Sequence, residues 1–331
     1  MALSQHQSTS VSVVIVNYRS WDKLAACLDS LLKTNTDNIK LEIIVVDNCS
    51  DDEKLDAFAA QYPSINFILN SGNHGFAHGC NTGAKASNSE YLFFLNPDTE
   101  VPTQLFSYLI DGLNKLPAFS IIATQKLSAK GKAERVERFL PRWYTLTGIG
   151  KAAHRFCIRS QLKQNFALDK EVVYPEWVSG SVIFMRSKAY KKLNGWNESY
   201  WMYSEDVDLC KRAANSDGKI ALLQNVAIIH NHGGSSRINP VTSALTKSEV
   251  YISRHIYIAQ HFNKKNVFVI QGLLTVKTLI KTGLIAFLSI LAFNHPKAQV
   301  SRQLFKNLIS YYTHALVNKT WLSPRSVLYK K

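Results

Sequence analysis

A run of five apolar residues at positions 91–95 constrains the fold of this chain more than any other stretch. The run contains three aromatic residues and is followed at once by Asn96, Pro97 and Asp98, which predicts a short strand buried on both faces. Strands of this kind belong to parallel sheets covered by helices, and open α/β sheets bind ligands beyond the carboxyl ends of their strands. A carboxylate there suits a divalent cation that also holds phosphate oxygens. The alternative is a turn that only ends the strand, since Asn, Pro and Asp are common turn residues.

The first 70 residues alternate between strand and helix patterns. Strands are predicted at residues 11–16, 41–46 and 65–69, and helices at residues 22–32 and 51–62. This alternation is typical of a right-handed parallel α/β unit and of a mononucleotide-binding half. Residues 70–83 contain four glycines, which let the backbone approach a ligand closely, and they predict a loop that leads into a helix over a nucleotide. Their spacing matches neither the P-loop nor the dinucleotide-binding pattern.

The middle of the chain is less regular. Residues 126–173 are basic and show no strong periodicity, so we expect loops and hairpins that shape the acceptor side. The elements predicted around this segment are helices at residues 102–116 and 205–215, a short helix from Ser187, and strands at residues 120–124, 177–186, 221–226 and 228–229.

Two polar clusters stand out near the end of this pattern. Glu205, Asp206 and Asp208 open a predicted helix, where acidic residues ordinarily only complement the helix dipole. Aromatic residues precede them and favour a functional interpretation: they could exclude water and raise a carboxylate pKa toward that of a base, or they could form a platform for a sugar ring. These residues are Tyr200, Trp201 and Tyr203. His230 and His232 follow a strand, where histidines are more often structural, and here they indicate a metal ligand.

The cysteines and the N-terminus indicate the cellular compartment. The chain has five cysteines, an odd number, and no C-x-x-C spacing, which predicts reduced thiols without a disulfide framework or a zinc site. Residues 1–10 are polar and lack the layout of a signal peptide. We therefore expect the catalytic part to stay on the cytoplasmic side.

The C-terminal segment carries most of the net charge of +15. Residues 251–331 contain twelve Lys or Arg and no Asp or Glu. Residues 267–293 are mainly apolar, but Lys277 and Lys281 interrupt them, and each lysine costs roughly 2.5–3.5 kcal/mol inside a bilayer. The pattern therefore predicts amphipathic helices that lie on an anionic membrane surface, and the alternative is a helical subdomain packed on the core. We expect no nucleic-acid partner, since no nucleic-acid-binding motif is present.

Taken in order, these motifs resemble glycosyltransferase family 2, specifically its rhamnosyltransferase-like members. The matching motifs are 11–18, Asp47-Asn48-x-Ser50, Asn73-x-Gly75-Phe76-x-x-Gly79-x-Asn81-x-Gly83, Asn96-Pro97-Asp98, Trp177-Val178-x-Gly180, Gly195-Trp196, Glu205-Asp206-x-Asp208-Leu209-Cys210-x-Arg212 and His230-x-x-Gly233-x-Ser235. The resemblance covers about residues 10–236. It implies a GT-A fold, which is a Rossmann-like mixed α/β sheet flanked by helices, joined here to a C-terminal helical segment that associates with membranes.

The resemblance also implies a division into domains. Residues 1–236 form the GT-A catalytic domain, with a nucleotide-sugar-binding half at about 1–125 and an acceptor half at about 126–236. Residues 237–331 form the basic C-terminal helical region.

The resemblance implies roles for individual residues. Asp206 is the catalytic base, with Glu205 beside it, and Asp98 and His230 bind the metal. The residues implied in binding the nucleotide sugar are Asn17, Asp47, Asn48, Ser50, Asn73, Gly75, Phe76, Asn81, Asn96, Trp177 and Gly180. This chain departs from the family in having Asn96 where many members have the first Asp of the Asp-x-Asp motif. It also has Trp196 where Phe is usual and Asn197 where Asp is usual.

The activity implied is inverting transfer of a sugar from a nucleoside diphosphate donor to a hydroxyl of a glycan or of a polyprenyl-diphosphate-linked glycan. The donor that the resemblance implies is dTDP-rhamnose. A divalent cation, Mg²⁺ or Mn²⁺, is the implied cofactor. The implied setting is cell-surface polysaccharide synthesis by a cytoplasmic protein on the inner face of the membrane, and a homo-oligomer is compatible with it. The alternatives are a UDP-sugar-dependent transferase and a non-catalytic glycan- or lipid-binding protein on this fold.

Overall fold

The computed structural model describes residues 9–167, 169–231, 239–292 and 295–329. The chain divides into two compact units. The first, which we call the sheet unit, comprises Met1–Asn73, Gly79–Trp196 and Leu209–His232. The second, which we call the helical unit, comprises His74–His78, Asn197–Asp208 and Gly233–Lys331.

The strands of the sheet unit form one mixed sheet, which confirms the predicted fold class. Its described strands are β1 (Thr9–Asn17), β2 (Ile39–Asp47), β3 (Asn66–Leu69), β4 (Tyr91–Leu95), β5 (Thr99–Glu100), β6 (Phe119–Ser128), β7 (Val172–Val173), β8 (Val182–Arg186) and β9 (Lys219–His230). Their order is β3-β2-β1-β4-β8-β6-β9-β5, with β7 paired to β9. Strands β1 to β4 pair in parallel, whereas β8 is antiparallel to both β4 and β6.

The apolar run that predicted a buried strand forms β4, and all five of its residues are buried. Phe93 packs edge-on against Phe184 of β8 with ring centroids 6.1 Å apart, and Tyr91 stacks on the same ring at 5.2 Å. Burial of these rings on one face and of Leu92 and Phe94 on the other gives the strand two apolar faces. The polar residues after Leu95 therefore emerge where the apolar run ends.

Helices surround this sheet. Those formed within the sheet unit are α1 (Trp21–Leu32), α2 (Leu55–Gln61), α4 (Leu105–Lys115), α5 (Gly148–Cys157), α6 (Arg159–Asn165) and α7 (Ser187–Lys192), with a 3₁₀ turn at Trp143–Leu146. Helices α3 (Phe76–Ala86) and α8 (Glu205–Asn215) each contain residues of both units. Helix α2 begins four residues later than predicted, because Cys49, Asp51 and Glu53 have positive φ angles that a right-handed helix does not allow.

The prediction of loops and hairpins for residues 126–173 was wrong for residues 148–165, which form helices α5 and α6. Neither helix contains a fully buried residue. In α5, Ile149, Ala152, Ala153 and Phe156 follow the spacing of one helix face, so this helix could be predicted from the sequence, whereas the seven residues of α6 are too few to show a period.

Two glycines of the segment at residues 70–83 serve helix packing. Gly79 and Gly83 lie in helix α3, on the side that faces β1. A Cβ atom on Gly79 would come within 2.7 Å of Val16, and one on Gly83 would collide with Val14. Their role is thus the close approach of helix and sheet, and not the approach to a ligand that the sequence suggested.

The C-terminal part of the helical unit consists of α9 (Pro240–His261), α10 (Lys264–Leu288), a 3₁₀ turn (Ser289–Ala292) and α11 (Pro296–Val317). Helix α9 contacts α11 and α10, and α10 contacts α11. Polar groups mediate part of this packing: His255 is buried, lies 3.0 Å from the Tyr312 hydroxyl through Nε2, and stacks on Trp321.

Helix α10 is inverted relative to a helix on the surface of a soluble protein. Its buried residues include Gln271, Thr278 and Thr282. Its exposed residues include large apolar side chains, which are Phe268, Val269, Leu273, Val276, Ile280, Leu284, Ile285, Phe287 and Leu288. Within the described residues, the segment Lys264–Leu291 is long and apolar enough to cross a membrane, by length and composition only.

Candidate active site

The first polar cluster of the sheet unit lies at the carboxyl ends of β1 and β2. Asn17 and Asp47 are partners in the parallel register, and Asn17 Nδ2 donates to Asp47 Oδ1 at 2.8 Å. Ser50 donates to the same carboxylate through its hydroxyl at 2.5 Å and its backbone N–H at 2.8 Å. Asn70 Nδ2 donates to Asn48 Oδ1 at 2.8 Å. All five residues are buried, so the structure brings together four of the predicted nucleotide-sugar residues.

This network holds the chain after β2 in an unusual conformation. Cys49 and Asp51 have φ angles of 57° and 52°, values that non-glycine residues rarely adopt. Arg19 fixes the same turn, since its Nε donates to the Ser50 carbonyl at 2.8 Å. Backbone strain of this kind persists where the surrounding hydrogen bonds hold the residues in place, and it is concentrated at functional sites.

The second cluster of the sheet unit lies where β4 and β9 end. Asp98 follows β4, and its carbonyl accepts from the backbone N–H of Asn231 at 2.8 Å. His230 is the last residue of β9, and its Nε2 lies 3.2 Å from Asp98 Oδ1. The two predicted metal ligands are therefore neighbours. Asn96 is close by in sequence, and its backbone N–H donates to the Ser181 carbonyl at 3.0 Å.

The electrostatics of this pair favour an ionised Asp98. Burial by itself would raise the pKa of Asp98, but contact with His230, the charge of that imidazole and the charge of Lys23 together lower it. Burial of His230 opposes protonation in the same way, yet its contacts with Asp98 and Glu134 raise the pKa of the imidazole. Each side chain thus stabilises the charged form of the other.

The pair fits a divalent cation. His230 Nε2 and Asp98 Oδ1 lie 3.2 Å apart, so both could contact one divalent cation. That oxygen is buried and lies in ion-pair contact with His230. No group of three or more His, Cys, Asp or Glu side chains in the described part of the chain could hold a metal. Diphosphate oxygens and water would complete the coordination, as is usual for Mg²⁺.

A carboxylate that the sequence did not indicate supports His230 from the other side. Glu134 Oε1 lies 3.3 Å from His230 Nδ1. The Glu134 carboxylate also lies 3.0 Å from Lys126 Nζ and 3.3 Å from the Arg138 guanidinium. Metal-binding histidines commonly donate their second nitrogen to a carboxylate, so Glu134 occupies the place of such a partner. Nothing in the sequence pattern of residues 126–173 pointed to it.

The same charged network continues to Trp177. The Arg138 guanidinium lies over the indole ring, 4.7 Å from its centroid, and the indole N–H donates to the Phe139 carbonyl at 3.0 Å. Lys126 Nζ donates to the hydroxyl of Ser181 at 3.0 Å, next to Gly180. The predicted strand at 177–186 begins only at Val182, and the residues before it form the loop that carries Trp177 and Gly180.

Asn81, another predicted nucleotide-sugar residue, holds a turn of the sheet unit. Its Nδ2 donates to the Trp196 carbonyl at 2.9 Å, and its Oδ1 accepts from the Trp196 backbone N–H at 2.9 Å. Tyr190 donates to the same Oδ1 at 2.5 Å. Trp196 is fully buried against Phe94, so the departure from the usual Phe at this position is an internal packing change.

The acidic helix start belongs to the helical unit. Helix α8 begins at Glu205, as predicted, and the two residues before it, Tyr203 and Ser204, have φ angles of 71° and 65°. Glu205 and Asp208 are buried, whereas Asp206 is half-buried. Of these three carboxylates, the one that solvent reaches is therefore Asp206.

Burial and like charges act on Glu205. Desolvation, together with the charges of Asp206 and Asp208, raises the pKa of Glu205 to about 8. Glu205 is consequently protonated at neutral pH. The Asp206 carboxylate accepts from the Val207 backbone N–H through Oδ1 at 2.8 Å.

The aromatic residues before this helix divide into two kinds. Tyr200 and Trp201 are buried, and Tyr200 donates to Gln260 Oε1 at 3.2 Å. Tyr203 is 37% exposed and is the most exposed of the three. The Trp201 carbonyl accepts from the Phe76 backbone N–H at 3.1 Å, and Gly75, with φ of 92°, leaves no room for a Cβ beside that carbonyl.

The remaining predicted residues have varied positions. Asn73 precedes helix α3, and Phe76 is the first residue of that helix. His232, Gly233 and Ser235 of the last motif lie outside the described residues. The predicted roles of the site residues in binding and catalysis stay predictions.

Family comparisons agree with these motifs. The family model described as glycosyl transferase family 2 matches residues 12–173, and one described as the N-terminal domain of galactosyltransferase matches residues 164–232. The rhamnosyltransferase WbbL of Escherichia coli is 26% identical over 66% of this chain and 83% of its own length. The N-acetylglucosaminyl-diphospho-decaprenol L-rhamnosyltransferase of Mycobacterium tuberculosis is 23% identical over 70% of this chain and 78% of its own length.

Solved structures share the fold. The structure of S. aureus TarS superposes with a TM-score of 0.51 at 14% identity, over 80% of this chain and 42% of TarS. The structure of GalNAc-T7 with UDP, GalNAc and Mn²⁺ gives a TM-score of 0.53 at 13% identity, over 97% of this chain and 59% of that protein. This chain thus spans about half the length of the two solved proteins, and the likeness concerns the fold alone.

Proposed function

We propose that this chain, whose residues 12–173 match glycosyltransferase family 2 and whose fold is GT-A-like, is an inverting transferase acting on a nucleoside diphosphate sugar. The observation that carries the mechanism is the acidic helix start. Among its three carboxylates, Asp206 is accessible, while Glu205 is buried with its pKa raised to about 8. A base must reach the proton that it abstracts, and Asp206 meets that condition.

In the proposed reaction, the Asp206 carboxylate accepts the proton of the acceptor hydroxyl as its oxygen attacks the anomeric carbon. The bond between that carbon and the diphosphate oxygen breaks on the opposite side, so the configuration inverts. Negative charge develops on the departing nucleoside diphosphate.

Asp98 and His230 would hold a divalent cation, Mg²⁺ or Mn²⁺, which when bound neutralises diphosphate charge. Glu134 would orient the imidazole of His230 through Nδ1, leaving Nε2 for the ligand side. Asp47, Asn48 and Ser50 would shape the nucleoside-binding turn through the bonds that hold it.

We propose dTDP-rhamnose as the donor and a polyprenyl-diphosphate-linked glycan as the acceptor, in cell-surface polysaccharide synthesis. Support comes from the rhamnosyltransferase relatives, one of which is named for a diphospho-decaprenol acceptor. The domain division predicted from sequence, with a catalytic part at residues 1–236, remains part of this proposal.

The test is a donor panel with the purified full chain. dTDP-rhamnose, UDP-galactose, UDP-GlcNAc and GDP-mannose are each incubated with N-acetylglucosaminyl-diphospho-polyprenol, with Mg²⁺, with Mn²⁺ or with EDTA. We expect nucleoside diphosphate release to be largest with dTDP-rhamnose and to be lost in EDTA. Preference for a UDP-sugar would move the donor assignment to that class, and no release from any donor would favour the non-catalytic alternative.

We further propose that helix α10 places the protein on the cytoplasmic face of a membrane. Its exposed surface carries large apolar side chains, with Phe268 88% exposed, whereas three of its five buried residues are polar. At about 100° per residue, Lys277 and Lys281 fall along one border of the apolar face, and both are exposed. Such lysines can extend to anionic headgroups while the apolar face enters the interface.

Vesicle co-sedimentation tests this membrane contact. A surface lysine contributes about 1 kcal/mol of attraction to an anionic bilayer, so K277Q/K281Q should bind anionic vesicles roughly 10–30-fold more weakly, and wild-type binding should fall in high salt. K247Q, an exposed lysine change on α9, is the matched control. Equal binding of the double variant, or concentration-dependent dimers that bury the same face without lipid, would contradict the proposal.

A further inference from the structure

The last turn of helix α9 contacts the acidic helix start. His261 Nε2 lies 2.7 Å from Asp208 Oδ1, and because an ionised carboxylate only accepts, the imidazole is the donor. The Asp208 side chain is 1% exposed and that of His261 is 10% exposed. Asn197 Nδ2 also approaches Asp208 Oδ1, at 3.3 Å. The ring of Tyr257 packs on the imidazole with centroids 4.6 Å apart, which restricts its orientation.

The neighbouring residue, Gln260, connects the same turn of α9 to the loop before α8. Its Oε1 accepts from Asn197 Nδ2 at 2.9 Å and from the Tyr200 hydroxyl at 3.2 Å. Its Nε2 donates to the Ser199 hydroxyl at 3.1 Å. Gln260 is itself exposed, so water can replace these bonds more easily than it can replace the buried bond of His261.

The buried bond matters because of where Asp208 lies. It is two residues beyond Asp206, in the same first turn of α8, and the two residues before that turn hold left-handed backbone conformations. A buried carboxylate that loses its donor is strongly destabilised and must be rehydrated or protonated. Either response displaces the first turn, and a misplacement of about 1 Å at a catalytic group can cost roughly 10²-fold in rate.

We propose that His261 is a positioning residue for the catalytic base: by donating to Asp208 it fixes the first turn of α8, from which Asp206 acts. The proposal rests on the proposed function, in which Asp206 is the base. His261 lies beyond both family-model matches, which end at residues 173 and 232. The C-terminal region therefore contributes to the reaction, in addition to any contact with lipid.

Two other bonds hold the loop, so variants at His261 should still fold. The Ser326 hydroxyl donates to the Glu198 carbonyl at 2.7 Å, and the Ser253 hydroxyl donates to the Met202 carbonyl at 2.7 Å. Neither bond involves the imidazole. Loss of the His261 bond should therefore loosen the helix start without releasing the whole loop.

The first measurement is a thermal unfolding cycle that needs no substrate. H261A should lower Tm by about 5 °C, because it removes a buried donor from the Asp208 carboxylate. D208N removes that charge, so the double variant H261A/D208N should lie closer to D208N than the sum of the single changes predicts. The control H295N replaces an exposed histidine that caps α11 by accepting from Lys297 N–H, a role that asparagine can also fill.

The second measurement is nucleoside diphosphate release from dTDP-rhamnose, at a temperature where every variant is folded by circular dichroism. H261A should lower kcat roughly 10–100-fold with the donor KM within about twofold. H261Q should recover part of the rate, because its amide can donate to the same oxygen, and H295N should match the wild type.

The proposal is overturned if folded H261A keeps the wild-type kcat, or if the unfolding cycle is additive. It is also overturned if H261Q is no better than H261A while both bind donor normally, since a hydrogen-bond donor at this position would then be irrelevant. Failure of the proposed function itself looks different: the wild type would release no nucleoside diphosphate from any donor, or D206N would retain full activity.

Discussion

The two acidic clusters of this protein are built in opposite ways. In the sheet unit, Asp98 lies beside His230 and near Lys23, and these cationic partners lower its pKa. In the helical unit, Glu205 is surrounded by Asp206 and Asp208, and desolvation with these like charges raises its pKa to about 8. The same functional group is thus kept ionised in one place and protonated in the other.

This difference matches two kinds of chemistry. An ionised carboxylate with a buried oxygen beside an imidazole suits a cation, and Asp98 Oδ1, which lies 3.2 Å from His230 Nε2, is such an atom. A turn with several carboxylates that compete for protons suits proton transfer, because environments that separate neighbouring pKa values assign acid and base roles. Charge compensation, and not residue type, distinguishes the two clusters.

The largest effect is expected from a substitution at Asp206, which tests the role of the acidic cluster in the helical unit. D206N removes the proposed base while keeping its size, so kcat should fall roughly 10²–10⁴-fold, the usual contribution of general-base catalysis. Donor binding should change little. The rate is measured by nucleoside diphosphate release under saturating donor.

D217N is the matched control for this substitution, since Asp217 is exposed just after helix α8. Asn also tolerates its positive φ angle of 60°. A D206N enzyme as active as D217N would remove proton transfer from the acidic helix start.

A smaller effect is expected at Glu134 in the sheet unit. E134Q weakens the charge that orients His230 through Nδ1, and loss of such a partner commonly lowers metal affinity roughly 10–100-fold. Manganese titration followed by electron paramagnetic resonance, with dTDP present, measures this without relying on turnover.

E137Q, in the same segment, provides the control for E134Q. Glu137 lies 3.9 Å from Arg155 and has no described contact with His230. If both variants bound Mn²⁺ as tightly as the wild type, Glu134 would not act as the partner of a metal ligand.

The residues of these clusters that lie at the ends of strands could be predicted from the sequence. Asp47, Asp98 and His230 each follow an apolar run, and strands β2, β4 and β9 do end at or next to them. The acidic helix start was predicted with the bounds that the structure has, Glu205–Asn215. In each case a local change from apolar to polar residues marks the end of the element.

The partners of these residues could not be predicted, because they are distant in sequence and lie in segments without a clear pattern. Glu134 is 96 residues from His230, in the segment where helices bury no complete face. His261 is 53 residues from Asp208, in a region whose basic and apolar composition suggested only a membrane contact. Three of the five buried residues of helix α10 are polar, while large apolar side chains are exposed, so the usual rule for burial fails there.

The smallest effect concerns the pH dependence of stability, and it tests the protonated state of Glu205. The ordinary pKa of about 4.5 in the unfolded chain rises to about 8 in the native protein. The native state therefore binds more protons between these values, and the stability contributed by the neutral carboxyl is lost as pH rises from about 5 to 8. E205Q should remove this pH dependence of stability, so that Tm falls by several degrees less than in the wild type between about pH 5 and 8.

Glu249 is a second buried carboxyl group, and a variant at this position separates its effect on stability from that of Glu205. Desolvation outweighs the opposing contacts with Arg325 and Ser323 and raises the pKa of Glu249 to about 7. E249Q should therefore flatten part of the same decline, and E205Q/E249Q should flatten more of it than either single change. A decline that is as steep in E205Q as in the wild type would mean that Glu205 is ionised in the native protein. The two clusters would then hold their carboxylates in the same charged state, and the comparison between them would no longer separate cation binding from proton transfer.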